Sequence, residues 1–123
     1  MGKNKILIVE DDKDIVELFK VGLDGFGYKV SFAFDGKQAL EMVKNEIPDL
    51  IILDVILPYL DGFGVCAELK MDKETKKIPI LMCTSQNSLA DVEKGFSFGI
   101  NGYIIKPFDP DKLVAKIKQV LEK

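Results

Sequence analysis

Residues 5–12 read KILIVEDD, an almost wholly apolar run that ends directly in three acids. Four further short apolar runs follow it, at residues 28–33, 50–53, 78–83 and 103–105. Three of the five runs, at residues 5–9, 50–53 and 78–83, carry hardly any polar side chain, which is typical of parallel strands that helices cover on both faces. In the run at residues 28–33, polar and apolar side chains alternate more and Lys29 is included, so we expect this strand at an edge of the sheet.

Amphipathic helical patterns separate these strand candidates. The first pattern places five residues at helical spacing in one stripe, namely Ile15, Leu18, Phe19, Gly22 and Phe26. Asp35, Asp61 and Asp109 are suitable N-caps for the second, third and fifth helices. Ser88 with Asp91 resembles a capping box for the fourth helix. This alternation predicts an α/β fold of (βα)5 type, with a parallel sheet, right-handed crossovers and helices on both faces.

Length and composition indicate one globular domain over residues 1–123, with 47% apolar and 30% charged residues. No apolar run approaches the roughly 18 residues that a membrane span needs, and the N-terminus has no signal-peptide pattern, so we expect a cytoplasmic protein without membrane contact. A net charge of −3 argues against direct nucleic-acid binding by this domain. Cys66 and Cys83 are expected to be buried, reduced thiols.

Acids follow two strands that we expect to be neighbours. Glu10 and Asp11 come directly after the first strand, and Asp54 comes after the third. If the strand order is 2-1-3-4-5, these two strands end side by side, at the switch point where open α/β sheets bind ligands. Thr84 and Lys106 end the fourth and fifth strands and would approach the acids from the other side.

The residue types at this sheet edge restrict its chemistry. Clustered carboxylates repel one another unless a cation or a proton relieves the repulsion. The chain has no histidine, so the ligands are oxygens and the natural cation is Mg²⁺. Lys106 has the wrong charge for a metal ligand and implies that an anion shares the site. A metal, an anion and a carboxylate nucleophile together indicate phosphoryl transfer.

Four motifs, in this order, resemble those of the receiver domain of bacterial two-component response regulators: ILIVEDD at 6–12, DVILPYLDG at 54–62, PILMCTS at 79–85 and GINGYIIKPF at 99–108. The resemblance covers essentially the whole chain. It implies the flavodoxin-like (βα)5 fold with strand order 2-1-3-4-5. It also implies a signalling switch that accepts a phosphoryl group from a histidine kinase or a histidine phosphotransfer protein. Its readout by a downstream protein target or effector domain is expected on the face of helix 4, strand 5 and helix 5.

The same resemblance implies which residues hold the metal and the phosphoryl group. Asp54 would be the phospho-acceptor. Asp11, Asp54 and the backbone carbonyl of Ile56 would bind Mg²⁺ directly, and Glu10 would act through a bound water. Asp12 follows the metal pair, and we interpret it as an acid in the first turn of helix 1, where the helix dipole favours negative charge.

Further roles fall on the second half of the chain. By resemblance, Thr84 and Lys106 would each contact a phosphoryl oxygen, and Tyr103 would be an aromatic switch that follows the position of Thr84. Ile56 and Gln86 would flank the approach of the hydrolytic water and thereby tune the lifetime of the phosphorylated state. Ile56 is apolar and is expected to shield that path.

The motifs depart from the family pattern in minor ways. Tyr59 is a bulky residue within the Pro58–Gly62 motif, and Ser85 stands where Ala or Gly is common. Neither change removes a site residue. The resemblance also predicts a cis peptide bond before Pro107, although only about 5–6% of such bonds are cis in general.

The alternative to a signalling switch is an enzyme that acts on an external substrate, either phosphatase-like with an aspartyl nucleophile or flavodoxin-like. A phosphatase of the haloacid-dehalogenase type would need a second Asp two residues after the nucleophile, where this chain has Ile56. A flavodoxin-like flavin binder would need a glycine- and hydroxyl-rich loop after the first strand, where this chain has acids that repel phosphate. A purely structural partner-binding module would be favoured by loss of a site acid, and none is lost. We therefore expect a non-enzymatic phospho-acceptor that catalyses only its own phosphorylation and dephosphorylation.

Overall fold

The computed structural model describes residues 4–85 and 89–122, and strands alternate with helices along them. The strands are β1 (Lys5–Val9), β2 (Lys29–Ala33), β3 (Leu50–Asp54), β4 (Ile80–Ser85) and β5 (Gly102–Lys106). The helices are α1 (Lys13–Leu23), α2 (Gly36–Asn45), α3 (Gly62–Met71), α4 (Leu89–Ser97) and α5 (Pro110–Leu121). This order confirms the predicted (βα)5 alternation.

The five strands form one sheet in the order β2-β1-β3-β4-β5, and every neighbouring pair is parallel. Strand β2 lies at an edge, as its polar alternation predicted. In the register of the sheet, Val9 lies opposite Leu53 and Asp54 lies opposite Cys83. The carboxyl ends of β1, β3 and β4 are therefore level with one another. The strand order reverses between β1 and β3, because β2 is added on one side of β1, whereas β3, β4 and β5 are added on the other.

The core has two layers because successive side chains of a strand point to opposite faces of the sheet. In β1, Leu7 and Val9 pack with residues of α2 and α3, whereas Ile6 and Ile8 pack with residues of α1 and α5. Strand β3 is buried along its whole length. Each fully buried aliphatic side chain of this kind contributes about 1.5–3 kcal/mol to the free energy of unfolding, so the central strands hold their ends firmly in place.

Aspartates begin the helices where the sequence predicted caps. The side chains of Asp35, Asp61 and Asp109 accept hydrogen bonds from the first-turn N–H groups of Gln38, Gly64 and Asp111, respectively. An Asp at this position satisfies a backbone donor that the helix itself leaves unpaired. The Ser88 part of the predicted capping box of α4 lies outside the described residues.

The sequence-based prediction for α1 was wrong in two respects. Leu18 and Phe26 are 48% and 47% exposed and do not belong to the buried stripe. The buried face consists of Val16, Phe19, Gly22 and Leu23. The helix ends at Leu23, so Phe26 falls in the following loop, where helical spacing no longer decides which way a side chain points.

Asp12 was also misassigned. It is the N-cap that precedes α1 and not an acid of its first turn, because its side chain accepts the Asp14 N–H at 2.9 Å. Strand β4 begins at Ile80, two residues later than predicted. Pro79 has no N–H to give to a strand ladder, although its carbonyl accepts the Ile51 N–H at 3.0 Å. The Ile80 N–H donates to the Asn101 side chain at 2.9 Å.

Cys66 and Cys83 are both buried and free, as predicted. Burial raises the pKa of the Cys83 thiol to about 12, so it stays protonated at neutral pH. Within residues 4–85 and 89–122, no helix has the length and apolar character needed to cross a lipid bilayer.

Candidate functional site

Three acids meet at the carboxyl ends of β1 and β3. Carboxylate oxygens of Glu10, Asp11 and Asp54 all lie within 4.8 Å of one another. Glu10 and Asp54 are buried, whereas Asp11 is exposed. The sequence predicted this meeting, and it follows from the parallel pairing of β1 with β3. Hard oxygen ligands of this kind fit a divalent cation such as Mg²⁺.

Glu10 is held tightly at the end of β1. Its N–H donates to the Ala33 carbonyl at 2.9 Å, and its Oε2 accepts the Asp12 N–H at 3.1 Å. Burial raises the pKa of Glu10 to about 7; the hydrogen bond from Lys106 opposes this rise, and the negative charge of Asp54 adds to it. The side chain therefore occupies a position where negative charge is hard to keep without a nearby cation.

Lys106 supplies that cation. Its Nζ donates to Glu10 Oε1 at 2.5 Å and to Asp54 Oδ2 at 3.1 Å, and its side chain is only 13% exposed. Burial lowers the pKa of Lys106, but the hydrogen bond to Glu10 and the charge of Asp54 outweigh burial, so that the pKa is raised. The ammonium group thus links both buried carboxylates. The sequence placed Lys106 near the acids but did not predict this direct bridge.

The loop after β3 shapes the surroundings of Asp54. The Ile56 N–H donates to Asp54 Oδ1 at 3.3 Å, and the Val55 N–H donates to the Cys83 carbonyl at 3.2 Å. A Cβ atom on Gly62 would lie 2.3 Å from the Asp54 carbonyl oxygen, so only glycine allows the loop to return this close to β3. These contacts fix the backbone on both sides of Asp54.

Ile56 lies at the rim of the site. Its side chain is 72% exposed. It helps to line an open cleft of about 500 Å³ whose walls include all three acids of the cluster. The other wall residues are Asp12, Ile15, Lys106 and Pro107. The cleft leads from solvent to the Asp54 carboxylate, and the peptide bond between Lys106 and Pro107 is cis.

Of the remaining predicted residues, Thr84 and Tyr103 lie on β4 and β5 and do not line the cleft. Thr84 is buried near the end of β4, opposite Ile105. Tyr103 is half-buried on β5, with its ring edge-to-face against Phe96 at 6.3 Å and the Lys116 ammonium 6.0 Å from its centre. Gln86 lies outside the described residues.

No role was predicted for Tyr59 from the sequence, although its backbone conformation is unusual. Tyr59, in the loop between β3 and α3, has a φ of +69° and is 90% exposed. Left-handed backbone is unusual for a bulky L-residue. Its position between Pro58 and the Asp61-Gly62 pair is a turn pattern that could have pointed to it, since such turns favour positive φ.

Comparison with known proteins agrees with this site. The model of the response regulator receiver domain family matches residues 6–118. The alkaline phosphatase synthesis transcriptional regulatory protein PhoP of Bacillus subtilis is 42% identical over 119 residues, which cover 97% of this chain and 49% of PhoP. The chain spans about half the length of the curated relatives that it matches.

Solved structures share the fold over almost their whole length. The chemotaxis response regulator CheY4 of Vibrio cholerae has a TM-score of 0.90 and 33% identity, with 97% of this chain and 99% of that chain covered. The receiver domain of the sensor histidine kinase PA1611 of Pseudomonas aeruginosa PAO1 has a TM-score of 0.91 and 28% identity, covering 99% and 100%. That structure has a magnesium ion coordinated in its active site cleft.

The findings agree at each level of the structure. The fold is the flavodoxin-like one, the acidic cleft fits Mg²⁺ and an aspartyl phosphate, and the relatives and structural neighbours are regulators and receiver domains. Nothing in them favours an enzyme with an external substrate. The chain belongs to the response regulator receiver domain family and has the fold and acidic cleft of a phosphorylation-dependent signalling switch.

Proposed function

We propose that this chain accepts a phosphoryl group on Asp54 from a histidine kinase or a histidine phosphotransfer protein. The observation that carries the proposal is the position of the Asp54 carboxylate. It lies in the open cleft at the end of a buried strand, within hydrogen-bonding distance of Lys106 and beside two further acids. A nucleophile and a fixed cation therefore converge where an anionic donor can enter.

The transfer is a displacement at phosphorus. An Asp54 carboxylate oxygen forms the new O–P bond while the N–P bond of a phosphohistidine breaks. The electron pair of that bond stays on the imidazole nitrogen of the donor, which then takes a proton. Lys106 is positioned to move from the carboxylates to a phosphoryl oxygen, and the Thr84 hydroxyl is the second group that we assign to the phosphoryl oxygens.

We assign Mg²⁺ to the same cleft. Asp11, Asp54 and the backbone carbonyl of Ile56 would hold the ion directly, and Glu10 would act through a bound water. When bound, the ion would supply positive charge between the carboxylates and the phosphoryl oxygens. The magnesium ion in the PA1611 receiver domain supports this assignment. The exposed position of Asp11 suits a ligand that must exchange with solvent.

The signal is read on the surface of α4, β5 and α5. Thr84 lies near the end of β4, the strand that precedes α4, and Lys106 ends β5, the strand that precedes α5, so movement of both toward a phosphoryl group displaces this surface. Tyr103 lies on it between Phe96 and Lys116 and is the proposed lever. The recipient is a downstream protein target or an effector domain, without nucleic-acid contact by this domain, and the site of action is the cytoplasm.

Incubation with a small phosphodonor tests this function. With acetyl phosphate and Mg²⁺, the intact mass should increase by one phosphoryl group. The product should be lost in hydroxylamine, because an acyl phosphate is cleaved by that nucleophile and a phosphoserine is not. A chain that gains no phosphoryl group, or gains one that hydroxylamine does not remove, would contradict the proposal.

Substitution of Asp11 by Asn should weaken Mg²⁺ binding at least about tenfold, since even outer-shell changes reduce metal affinity 10- to 100-fold. The same change should raise the thermal stability of the metal-free protein, because it removes one of three neighbouring negative charges. Calorimetric titration with Mg²⁺ and thermal unfolding in a chelator measure the two effects. The chain has no Trp, so quenching of indole fluorescence cannot serve here.

Asp12→Asn is the matched control for that experiment. Asp12 is the neighbouring acid, but its side chain caps α1, and Asn is an equally good N-cap. This variant loses the same charge one residue away and keeps the helix start. It should bind Mg²⁺ within about a factor of two of the wild type, because a single exposed charge acts weakly over distance in water. Equal affinities of wild type and Asp11→Asn would refute the ligand assignment.

Substitution of Ile56 by Asn should shorten the lifetime of the phosphorylated state by about tenfold, equivalent to ~1.4 kcal/mol of barrier. Ile56 lines the cleft to Asp54 and cannot hydrogen-bond a water, whereas Asn can hold one near the acyl phosphate. The measurement is loss of the phosphoryl group after removal of the donor, with Mg²⁺ present. Decay that is unchanged or slower in the variant would mean that Ile56 does not shield this path.

A further inference from the structure

Tyr59 is held in a turn that disfavours its own residue type. The Leu60 N–H donates to the Pro58 carbonyl at 2.8 Å, which makes Tyr59 the centre of a three-residue γ-turn with a φ of +69°. Turns of this positive-φ form are rare and strained. Glycine would adopt the same backbone without a clash of its Cβ atom. The ring gains no packing in return, because the residue is 90% exposed.

The loop around Tyr59 is anchored on its inner side. Val55 and Leu57 are buried, and Leu60 packs partly buried against the same core cluster. The Gly62 N–H donates to the Val55 carbonyl at 2.8 Å, which closes the loop. The two large apolar side chains that point outward, Ile56 and Tyr59, are thus presented by a backbone with little freedom. Groups fixed in this way bind a partner with a smaller loss of conformational entropy.

We infer that Tyr59, together with Ile56, is a docking contact for the protein that donates the phosphoryl group, and that it favours protein donors over small phosphodonors. This inference rests on the proposed function of Asp54. Ile56 lines the cleft that leads to the Asp54 carboxylate, and Tyr59 follows three residues later on the same anchored loop. A protein donor that delivers phosphate into the cleft brings its own surface against the loop that carries both side chains, whereas a small donor passes Ile56 in the cleft and has no surface that could reach Tyr59.

The charges around the rim specify the chemistry of the donor surface. Asp11, Asp12 and Asp61 are all exposed near the cleft or on the loop, so the apolar pair is flanked by negative charge. The complementary donor surface presents apolar side chains beside its phosphohistidine and Lys or Arg around them. Aromatic side chains of this kind often carry a large share of the binding energy in such contacts.

The test compares two N–P donors with the same bond to break. Phosphoramidate transfers its phosphoryl group to an Asp54 oxygen with loss of ammonia and has no protein surface. A phosphohistidine phosphotransfer domain makes the same transfer, and the imidazole of its histidine is the leaving group, which keeps the electron pair of the N–P bond and takes a proton. The domain used is the one that phosphorylates the wild-type chain fastest in a panel of purified, phosphate-charged domains. The quantity measured is the ratio of the protein-donor rate to the phosphoramidate rate.

Tyr59→Gly should lower this ratio by about tenfold, the effect typical of losing an aromatic anchor. Tyr59→Phe keeps the ring, so its ratio should stay within about twofold of the wild-type ratio. Met71→Ala is the matched control, because Met71 is a large exposed apolar residue at the far end of α3. Its ratio should equal that of the wild type. The urea midpoint of Tyr59→Gly should rise, since glycine relieves the positive φ.

Each outcome separates the inference from the function on which it rests. A wild-type chain that gains no phosphoryl group on Asp54 from phosphoramidate overturns the proposed function. If that reaction proceeds, an unchanged ratio in Tyr59→Gly overturns the docking role, and so does a panel in which no protein donor works. A lower urea midpoint in Tyr59→Gly would show that the ring supports the fold, and this would also overturn the inference.

Discussion

Asp54→Asn should leave the chain without a detectable phosphoryl group after incubation with acetyl phosphate and Mg²⁺. Asn has nearly the same shape as Asp, and its single amide oxygen can still accept one of the two hydrogen bonds that Lys106 and the Ile56 N–H give to the two oxygens of Asp54. An amide oxygen carries no negative charge, however, and forms no stable acyl phosphate. The measurement is intact-mass spectrometry, and the expected loss is complete.

The acceptor can also be located directly on the wild-type protein. Borohydride reduces an aspartyl phosphate to homoserine, and peptide mapping should find that homoserine at position 54. Asp61→Asn is the control, because Asp61 caps α3 from the same loop and Asn retains the cap. It should accept phosphate like the wild type. Homoserine at another position, or full phosphorylation of Asp54→Asn, would move the acceptor elsewhere.

Most of the fold could be predicted because its strands bury both faces. A run such as residues 50–53 has apolar side chains on both faces of the strand, and these are removed from water only between two layers of helices. Strand β3 is indeed buried along its whole length. The positions of the acids follow from the same fact. Once β1 and β3 pair in parallel, Glu10 and Asp54 must end at the same edge of the sheet. Neither prediction required knowledge of side-chain contacts.

The predictions were wrong where a local sequence pattern is compatible with more than one structure. Leu18 and Phe26 fit a helical stripe, yet the actual core of α1 is formed by Val16, Phe19 and Leu23. Helical spacing gives a face but not its absolute direction, which is set by the layer against which the helix packs. Tyr59 received no predicted role for another reason: the turn pattern between Pro58 and Gly62 allows a positive φ, but the anchors on both sides of Tyr59 impose it against the preference of that residue type.

The ion pairs that Lys106 forms with Glu10 and Asp54 could not be predicted from the sequence either. The resemblance assigned Lys106 to a phosphoryl oxygen, but in this structure its Nζ lies between Glu10 and Asp54. That contact depends on side-chain lengths as well as on strand order. Glu10 is one methylene longer than an Asp at the same position would be, and it reaches across the cleft to the ammonium group from β1. Strand order alone does not determine such a reach.

Because of this bridge, Lys106→Met should lower the free energy of unfolding of the metal-free protein by about 3 kcal/mol, within the range for breaking a buried ion pair from one side. Met keeps most of the apolar stem of Lys but removes the charge that Glu10 and Asp54 share. Both carboxyl groups would then remain buried beside each other without a cation, and the pKa of Glu10, which is about 7 with Lys106 present, would rise further. Urea unfolding in the presence of a chelator measures the loss.

Two comparisons distinguish this effect from a general cost of removing a lysine. Lys20→Met breaks an exposed ion pair with Glu17 at 3.4 Å and should change the free energy of unfolding by less than about 0.5 kcal/mol. Mg²⁺ should stabilise Lys106→Met more than the wild type, because the ion replaces the missing cation and has no ammonium group to displace. If Lys106→Met is as stable as the wild type in a chelator, or if Mg²⁺ stabilises both proteins equally, then Lys106 does not act as the internal cation of the cleft.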